Sequence, residues 1–350
     1  MKVPYKDNWE ETEARMMAFW DKKIIGRVPI AIIAQKPKSE QKEVPKAKDS
    51  YSKWMDPDFV VNRSKTVYGN RYFLAEAIPA EHIMAGFTLW GGPLGGEPEF
   101  REETIWQHPF VPDLKAYKFN LDLNSKWWQL CKTIQKRVVE EKAGFPSTCA
   151  SVAAIDTLSI IRGPENLCMD LIENPEIIKS LRDKILDASL KMFDEAFNII
   201  QKKYKGSTAW IPLYSPGKYY TPQCDFSCMI SVDMFDEFVL PEIEAAANFL
   251  DHSIYHLDGP GAIRHLDSLL KIKNLNGIQW VPGAGALEAV NWTDLLKKIL
   301  KSGKCLHIDI SKKDVAKALK ELPHEGLFLQ TWCASKEEAE EVIKIAEKMS

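Results

Sequence analysis

The stretch of residues 254–286, IYHLDGPGAIRHLDSLLKIKNLNGIQWVPGAGA, decides the fold. It predicts a short strand over 254–257, a helix over 262–270 and a second apolar strand over 277–281, with a glycine-containing turn after each strand. Strand, helix and strand in this order, with polar residues after the strands, are typical of a parallel α/β sheet. Ligands in such folds bind at the carboxyl ends of the strands, so we expect the functional site there.

Two polar side chains mark the end of the first of these strands. His256 and Asp258 are two residues apart, and alternate residues of an extended chain project from the same face of a sheet. The spacing therefore predicts that imidazole and carboxylate lie side by side.

The rest of the chain continues the same pattern. Short apolar runs, each followed by a helical pattern, predict eight strands over residues 28–34, 71–77, 147–155, 208–213, 254–257, 277–281, 305–308 and 326–331. Eight strand–helix units predict a single (β/α)8 TIM barrel over residues 1–350, with an N-terminal helical extension in residues 1–26. The polar, Lys-rich segment 35–50 is predicted to be a mobile loop above the site, either a lid or a solvated surface excursion.

Composition narrows the classes of partner. A net charge of −3 without a dense Lys/Arg block argues against binding to nucleic acid or to an anionic membrane. The polar start and the lack of a long apolar run indicate a cytoplasmic protein, and seven scattered cysteines fit reduced thiols.

Four segments carry a resemblance to a known family. They are RVPIAII (residues 27–33), GPENLCMDLIENPEIIKSLRDKI (163–185), CDFSCMISVDMFDEFVLPEIE (224–244) and IYHLDGPGAIRHLD (254–267). With these segments the chain resembles the uroporphyrinogen decarboxylase superfamily over most of its length. The resemblance implies a (β/α)8 barrel, and with it one of two chemistries: cofactor-free decarboxylation, or zinc-dependent methyl transfer with corrinoid proteins.

The segment after the first strand separates the two branches. The decarboxylases carry Arg-Gln-Ala-Gly-Arg there, whereas this chain has Gln35, Lys36, Pro37 and Lys38. Only arginine binds a carboxylate through a rigid planar guanidinium group, so without these arginines the chain is poorly suited to bind a substrate with many carboxylates. The chain is therefore closer to the zinc-dependent corrinoid methyltransferase branch.

The resemblance to that branch implies a metal site. Its members bind zinc through a His-x-Cys at the end of the fifth strand and a Cys after the eighth, which correspond here to His256, Asp258 and Cys333, with Asp258 in place of the usual Cys. Zinc accepts imidazole, carboxylate and thiolate, and three protein ligands leave a position open for a substrate. In the structural alternative, Asp258 caps the following turn, His256 bonds to it, and Cys333 is a buried apolar side chain.

Other candidate residues follow strands or lie in them. Glu76 and Asp309 are candidate catalytic acid–base groups, and Tyr214, Tyr220, Gln279 and Trp280 are candidate substrate-binding residues. A strand-end charge in solvent is the alternative for Glu76, and core packing is the alternative for the aromatic residues.

Three functions remain open from the sequence. The first is a methyltransferase that moves a methyl group between a small substrate and a separate corrinoid (cobalamin) protein, since the chain lacks the Asp-x-His-x-x-Gly pattern of cobalamin-binding domains. The second is a metal-free decarboxylase or lyase acting on a small carboxylic acid, with Lys218, Arg162 and Arg264 as its positive charges. The third is a non-catalytic barrel used as a binding subunit. The family resemblance also allows a homodimer.

Overall fold

A seven-stranded sheet organises the chain in the computed structural model, which describes residues 2–83 and 92–350. Its strand order is β2-β1-β11-β10-β9-β8-β7, and every neighbouring pair is parallel except β1 with β2. The strands are β1 (Ile30–Gln35), β2 (Arg71–Ala75), β7 (Tyr219–Tyr220), β8 (His252–Asp258), β9 (Gly277–Val281), β10 (Cys305–Asp309) and β11 (Leu327–Cys333). Two further pairs lie outside it: β3 (Ala80–Glu81) with β6 (Phe145–Pro146), and β4 (Pro98–Phe100) with β5 (Ile105–Gln107).

Helices connect and cover these strands. In the described ranges they are α1 (Trp9–Trp20), α2 (Ser50–Met55), α3 (Pro57–Gly69), α4 (Lys126–Glu140), α5 (Ala154–Arg162), α6 (Pro164–Glu173), α7 (Pro175–Ile200), α8 (Val232–Met234), α9 (Leu240–Phe249), α10 (Gly259–Ala262), α11 (Leu266–Lys271), α12 (Thr293–Lys301), α13 (Val315–Glu321) and α14 (Lys336–Met349). The structure is thus a mixed α/β fold. In the portions described, no helix combines the length and apolar character needed to cross a membrane.

The register of the parallel strands gives the sheet two different faces. Gln279 of β9 is paired with His256 of β8 on one side and with His307 of β10 on the other, while Asp309 is paired with Gln330 of β11. Directly paired residues share a face, so these five side chains form one surface, which we call the polar face. The residues between them, such as the fully buried Leu257, Ile278 and Ile308, belong to the opposite face.

Four predicted strands in the second half of the chain are confirmed as β8, β9, β10 and β11, with bounds within a few residues of those expected. Two others are wrong. Residues 147–155 and 208–213 form no strand beyond a single parallel bridge between Ser147 and Thr208, and α5 begins inside the first run. Pro212 in the second run lacks the N–H that a ladder needs. Closure of the sheet into a barrel stays a prediction.

The strand β2 is present where the sequence predicts it but runs in the opposite direction. It is antiparallel to β1, with Ala75 opposite Ala31, so its carboxyl end lies at the amino-terminal end of the parallel strands. This reversal decides the place of Glu76, which follows it.

The N-terminal helix α1 covers the amino-terminal end of the sheet. The ring of Phe19 packs edge-on against Phe328 at 5.3 Å, and Trp20 stacks on His252 at 4.5 Å. The thiol of Cys305, the first residue of β10, donates to the Phe19 carbonyl oxygen at 3.3 Å. The opposite, carboxyl-terminal end of the sheet is therefore the end left for a site.

The segment 35–50 follows the carboxyl end of β1. It contains a short 3-10 helix, Lys38–Glu40, and Asn70 holds its middle through two hydrogen bonds with the backbone of Lys42, of 2.8 and 2.9 Å. Its mobility stays a prediction.

Candidate metal centre

Three side chains converge at the carboxyl end of β8. The potential ligand atoms of Asp225, His256 and Asp258 all lie within 4.8 Å of one another. His256 and Asp258 belong to β8, and their side chains come together as their spacing of two predicts. Asp225 opens a short 3-10 helix, Asp225–Met229, a few residues after the neighbouring strand β7. The three residues thus come from the carboxyl end of β8 and from the segment that follows the adjacent strand β7.

The orientation of the His256 ring is set by a neighbour in β9. The Nδ1–H of His256 donates to Oε1 of Gln279 at 2.6 Å, since an amide oxygen can only accept. This leaves the Nε2 lone pair as the free ligand position. The ring of Trp210 stands edge-on to the imidazole, with ring centroids 4.6 Å apart. Gln279 is thus a positioning residue for the histidine.

A buried carboxylate positions Asp225. The Asp156 side chain, in the first turn of α5, accepts the backbone N–H groups of Asp225 and Phe226, both at 3.0 Å. Burial, with the charge of Asp225 beside it, raises the pKa of Asp156 to about 7. Partial burial also raises the pKa of Asp225; His256 opposes this rise and the Asp258 carboxylate adds to it. A cation bound between neighbouring carboxylates would relieve their mutual repulsion.

The donor set fits a divalent transition metal. Two carboxylates and one imidazole would neutralise a doubly charged ion, and zinc uses both kinds of ligand at about 2.0–2.2 Å. Ligands held at that distance by one tetrahedral ion lie about 3.3–3.6 Å apart, so side-chain rotations of about 1 Å would bring the three atoms into range.

The polar face continues from this group with side chains that are poorly satisfied. Both ring nitrogens of His307, Oδ1 of Asp309 and Oε1 of Gln330 are buried, and within residues 2–83 and 92–350 none makes a well-formed hydrogen bond, although Gln330 is in polar contact with both other residues. Burial lowers the pKa of His307 to about 3; contact with Gln330 opposes this shift and His256 adds to it. Burial raises the pKa of Asp309 to about 6, and polar contact with Gln330 opposes the rise. Asp309, a predicted catalytic residue, therefore lies on the same face as His256.

Cys333 does not join the group, so its place in the ligand set stays a prediction that this arrangement does not support. Its sulfur lies outside the set of mutually close ligand atoms. Within β11 it alternates with Gln330 and Trp332, so it shares the opposite face with Leu329 and Thr331. It is buried, and burial raises the pKa of its thiol while Lys312 opposes this.

Glu76 lies at the other end of the sheet and is not placed to act at this site. Its backbone N–H donates to the carbonyl of Ile30, the first residue of β1, at 3.0 Å. Its carboxylate is fully buried and binds Arg27 through two hydrogen bonds of 2.6 and 2.9 Å. Glu76 lies at this end because β2 is antiparallel to β1, so the carboxyl end of β2 points away from the carboxyl ends of the other strands.

The predicted substrate-binding tyrosines are also engaged elsewhere. The Tyr214 hydroxyl donates to Glu13 of α1 at 2.9 Å, and its ring packs on Trp9, which places it beneath the amino-terminal end of the sheet. Tyr220 is buried and packs edge-on against Phe193 of α7. Each side chain packs into the core, so a substrate-binding role for either tyrosine stays a prediction without support from its placement.

Trp280, the fourth candidate substrate-binding residue, does not lie on the polar face, and its role stays a prediction without support from its placement. It is fully buried, and its indole packs against Trp292 at 5.1 Å. Adjacent residues of a strand project from opposite faces, so Gln279 on the polar face excludes Trp280 from it.

Sequence reasoning missed Asp225 and Asp156. Asp225 lies within the quoted segment 224–244, where an acidic residue was the available signal. Asp156 directly follows the predicted strand 147–155, but in the structure it lies in the first turn of α5.

No protein-family model matches the chain, and no curated protein matches it. The resemblance to the uroporphyrinogen decarboxylase superfamily therefore stays a prediction from the quoted segments.

Proposed function

We propose that the chain is a metal-dependent methyltransferase with the (β/α)8 barrel fold of the uroporphyrinogen decarboxylase superfamily. It moves a methyl group between a small substrate and a separate corrinoid protein. The observation that supports this most is the convergence of Asp225, His256 and Asp258 at the carboxyl end of β8. The proposed ligand set replaces the His256, Asp258 and Cys333 set that the family resemblance implies.

In this proposal each residue around the cation has a defined task. Asp225, His256 and Asp258 hold a zinc ion or a similar divalent cation and leave at least one position open. Gln279 fixes the tautomer and orientation of His256, and Asp156 fixes the turn that presents Asp225. The bound cation would lower the pKa of a substrate thiol or hydroxyl group, so that this group exchanges methyl as its conjugate base.

The placement of the site suits a bulky partner. Asp225 and Asp258 are exposed, so the cation would lie near the surface and not at the bottom of a deep channel. A carrier protein could then bring its corrinoid to the substrate.

The metal-free lyase is less well supported. Lys218 is paired with Asp194 at 2.7 Å, and Arg162 is paired with Asp170 at 2.6 Å. Neither is left to bind a substrate carboxylate. The described part of the polar face carries acidic and neutral groups, which would repel an anionic substrate.

The direct test is methyl transfer with a cobalamin probe. Purified protein is loaded with zinc and mixed with methylcobalamin and a panel of thiols and alcohols, and demethylation of the cobalamin is followed by its visible spectrum. We expect a zinc-dependent rate that His256→Ala abolishes. A rate in the zinc-free protein and in His256→Ala as high as in the zinc-loaded, unaltered protein would overturn the proposal.

A further inference from the structure

The polar face holds a second group of side chains beyond the proposed metal ligands. It consists of His307 and Asp309 in β10 and Gln330 in β11, and we call it the acceptor cluster. Asp309 and Gln330 are directly paired across the two strands, and Gln279 links His307 to His256 across β9. The cluster is therefore continuous with the metal centre on one surface.

The members of this cluster are largely withdrawn from solvent, and Gln330 is in polar contact with both His307 and Asp309. His307 is fully buried and Gln330 is 6% exposed, yet beyond these contacts both ring nitrogens and the amide oxygen lack a well-formed hydrogen bond within the described ranges. Oδ1 of Asp309 is also buried and lacks a well-formed hydrogen bond. A buried polar atom without a partner costs stability, and a protein that keeps several of them side by side is commonly arranged to bind a ligand.

The chemistry of the unpartnered atoms points to a donor ligand. A carboxylate oxygen and an amide oxygen can only accept hydrogen bonds. The imidazole of His307 is neutral at ordinary pH because burial holds its pKa low, so it adds one acceptor nitrogen and one N–H donor but no positive charge. Among the described residues no ion pair includes Asp309, and the group that most influences its pKa besides burial is the neutral Gln330.

Charge balance leads to the same ligand. A divalent cation at the metal centre would be neutralised by Asp225 and Asp258, which leaves the charge of Asp309 without compensation. A monovalent organic cation with two or more N–H groups would satisfy both the charge and the free acceptors. An anionic substrate would meet the negative charge of Asp309, with only the neutral N–H groups of His307 and Gln330 to offset it.

We propose that His307, Asp309 and Gln330 form the substrate subsite, and that the substrate is a small organic ammonium with at least two N–H groups. Asp309 and Gln330 accept these N–H groups, and His307 completes the polar wall next to Gln279 and His256. This deepens the proposed function, on which it rests: the ammonium group anchors the substrate in the subsite, and a thiol or hydroxyl group of the same molecule exchanges methyl at the metal centre.

The test is a calorimetric titration of the full-length protein with four small probes. Dimethylammonium carries two N–H groups, tetramethylammonium carries the charge without any, acetate is anionic and methanol is neutral. We expect dimethylammonium to bind about tenfold or more tightly than each of the other three. Equal binding of acetate, or of tetramethylammonium, would overturn the proposal.

Two variants assign the binding to the cluster. Asp309→Asn keeps the shape of the side chain and removes its charge, and it should weaken dimethylammonium binding by about tenfold or more while zinc content is unchanged. Gln330→Met should weaken it several-fold and gives an independent measurement. Unchanged dimethylammonium affinity in both variants would contradict the subsite.

The same titrations separate this proposal from the metal proposal. Dimethylammonium binding that depends on Asp309 in a protein that binds no zinc would support the subsite while the proposed metal chemistry fails. If zinc binding requires Asp225 but the affinity for dimethylammonium does not depend on Asp309, the subsite is refuted and the proposed metal centre is not.

Discussion

Glu76 and Asp309 are both withdrawn from solvent, at opposite ends of the same sheet, and their surroundings differ completely. Glu76 binds Arg27 through two hydrogen bonds, Arg15 at 3.2 Å, and the Ile30 N–H at 2.8 Å. Asp309 has one carboxylate oxygen with no hydrogen bond in the described structure. The amino-terminal end is therefore built for stability, and the carboxyl-terminal end keeps polar atoms free for a ligand.

Two histidines show the same contrast. At the amino-terminal end His252 shares a 2.8 Å hydrogen bond with Ser215 and stacks on Trp20. On the polar face His307 stacks on Phe328, but neither of its nitrogens makes a well-formed hydrogen bond with the residues described. Burial lowers the pKa of both imidazoles, so burial alone does not distinguish the two ends. The two ends differ in whether the buried imidazole has a hydrogen-bond partner.

The largest effect should come from removing the buried ion pair between Glu76 and Arg27 at the amino-terminal end of the sheet. Glu76→Gln leaves the buried Arg27 guanidinium without its counter-charge, and we expect the free energy of unfolding to fall by about 3–5 kcal/mol. Chemical denaturation measures this. The control is Glu11→Gln, whose partner Arg15 lies nearer the surface in an exposed pair and whose loss should cost about 0–1 kcal/mol. Similar losses in the two variants would contradict the stabilising role of Glu76.

A smaller effect should follow from removing the residue that positions His256 at the carboxyl-terminal end of the sheet. Gln279→Leu removes the acceptor that orients His256, and we expect zinc affinity to fall about 10–100-fold without loss of any ligand. Competition with a chelating dye measures the affinity. Thr331→Val, on the opposite face, is the matched control and should leave zinc affinity unchanged. An unaltered affinity in Gln279→Leu would show that the hydrogen bond does not position the ring.

The smallest effect should be a gain in stability. Asp309→Asn replaces a poorly solvated charge by a neutral amide, and we expect the ligand-free protein to become about 1–2 kcal/mol more stable at pH 7. Thermal and denaturant unfolding of the two proteins measure the difference. A loss of stability would mean that Asp309 holds the fold together as Glu76 does.

The pH dependence of that gain sharpens the comparison. Asp309 has a pKa of about 6 in the folded chain against an ordinary value of 3.8, so the folded state binds the extra proton between these values. Its contribution to the free energy of unfolding therefore falls as the pH rises from about 4 to about 6. The gain in Asp309→Asn should be full above pH 7 and small below pH 4. A gain independent of pH would exclude titration of this carboxyl as its cause.

Local sequence patterns were sufficient for part of this architecture. Apolar runs ending in glycine turns place β8 and β9, and the spacing of two places His256 beside Asp258. The same alternation separates Gln279 from Trp280 and Cys333 from Gln330, so these faces could have been read from the sequence as well.

The remaining features depend on contacts that are distant in sequence. The direction of β2 is set by its pairing with β1, and it reverses the position of Glu76. Tyr214 is fixed by Glu13, 201 residues earlier in the chain, and Asp225 is presented by Asp156, 69 residues earlier. No local pattern carries this information.

The most direct measurement is the zinc content of three proteins purified under reducing conditions without chelator and then offered zinc: the unaltered chain, Asp225→Asn and Cys333→Ala. The proposed centre predicts about one zinc per chain in the unaltered protein and in Cys333→Ala, and a strongly reduced content in Asp225→Asn. Retention of zinc in Asp225→Asn together with its loss in Cys333→Ala would contradict the centre and restore the ligand set that the sequence resemblance implies.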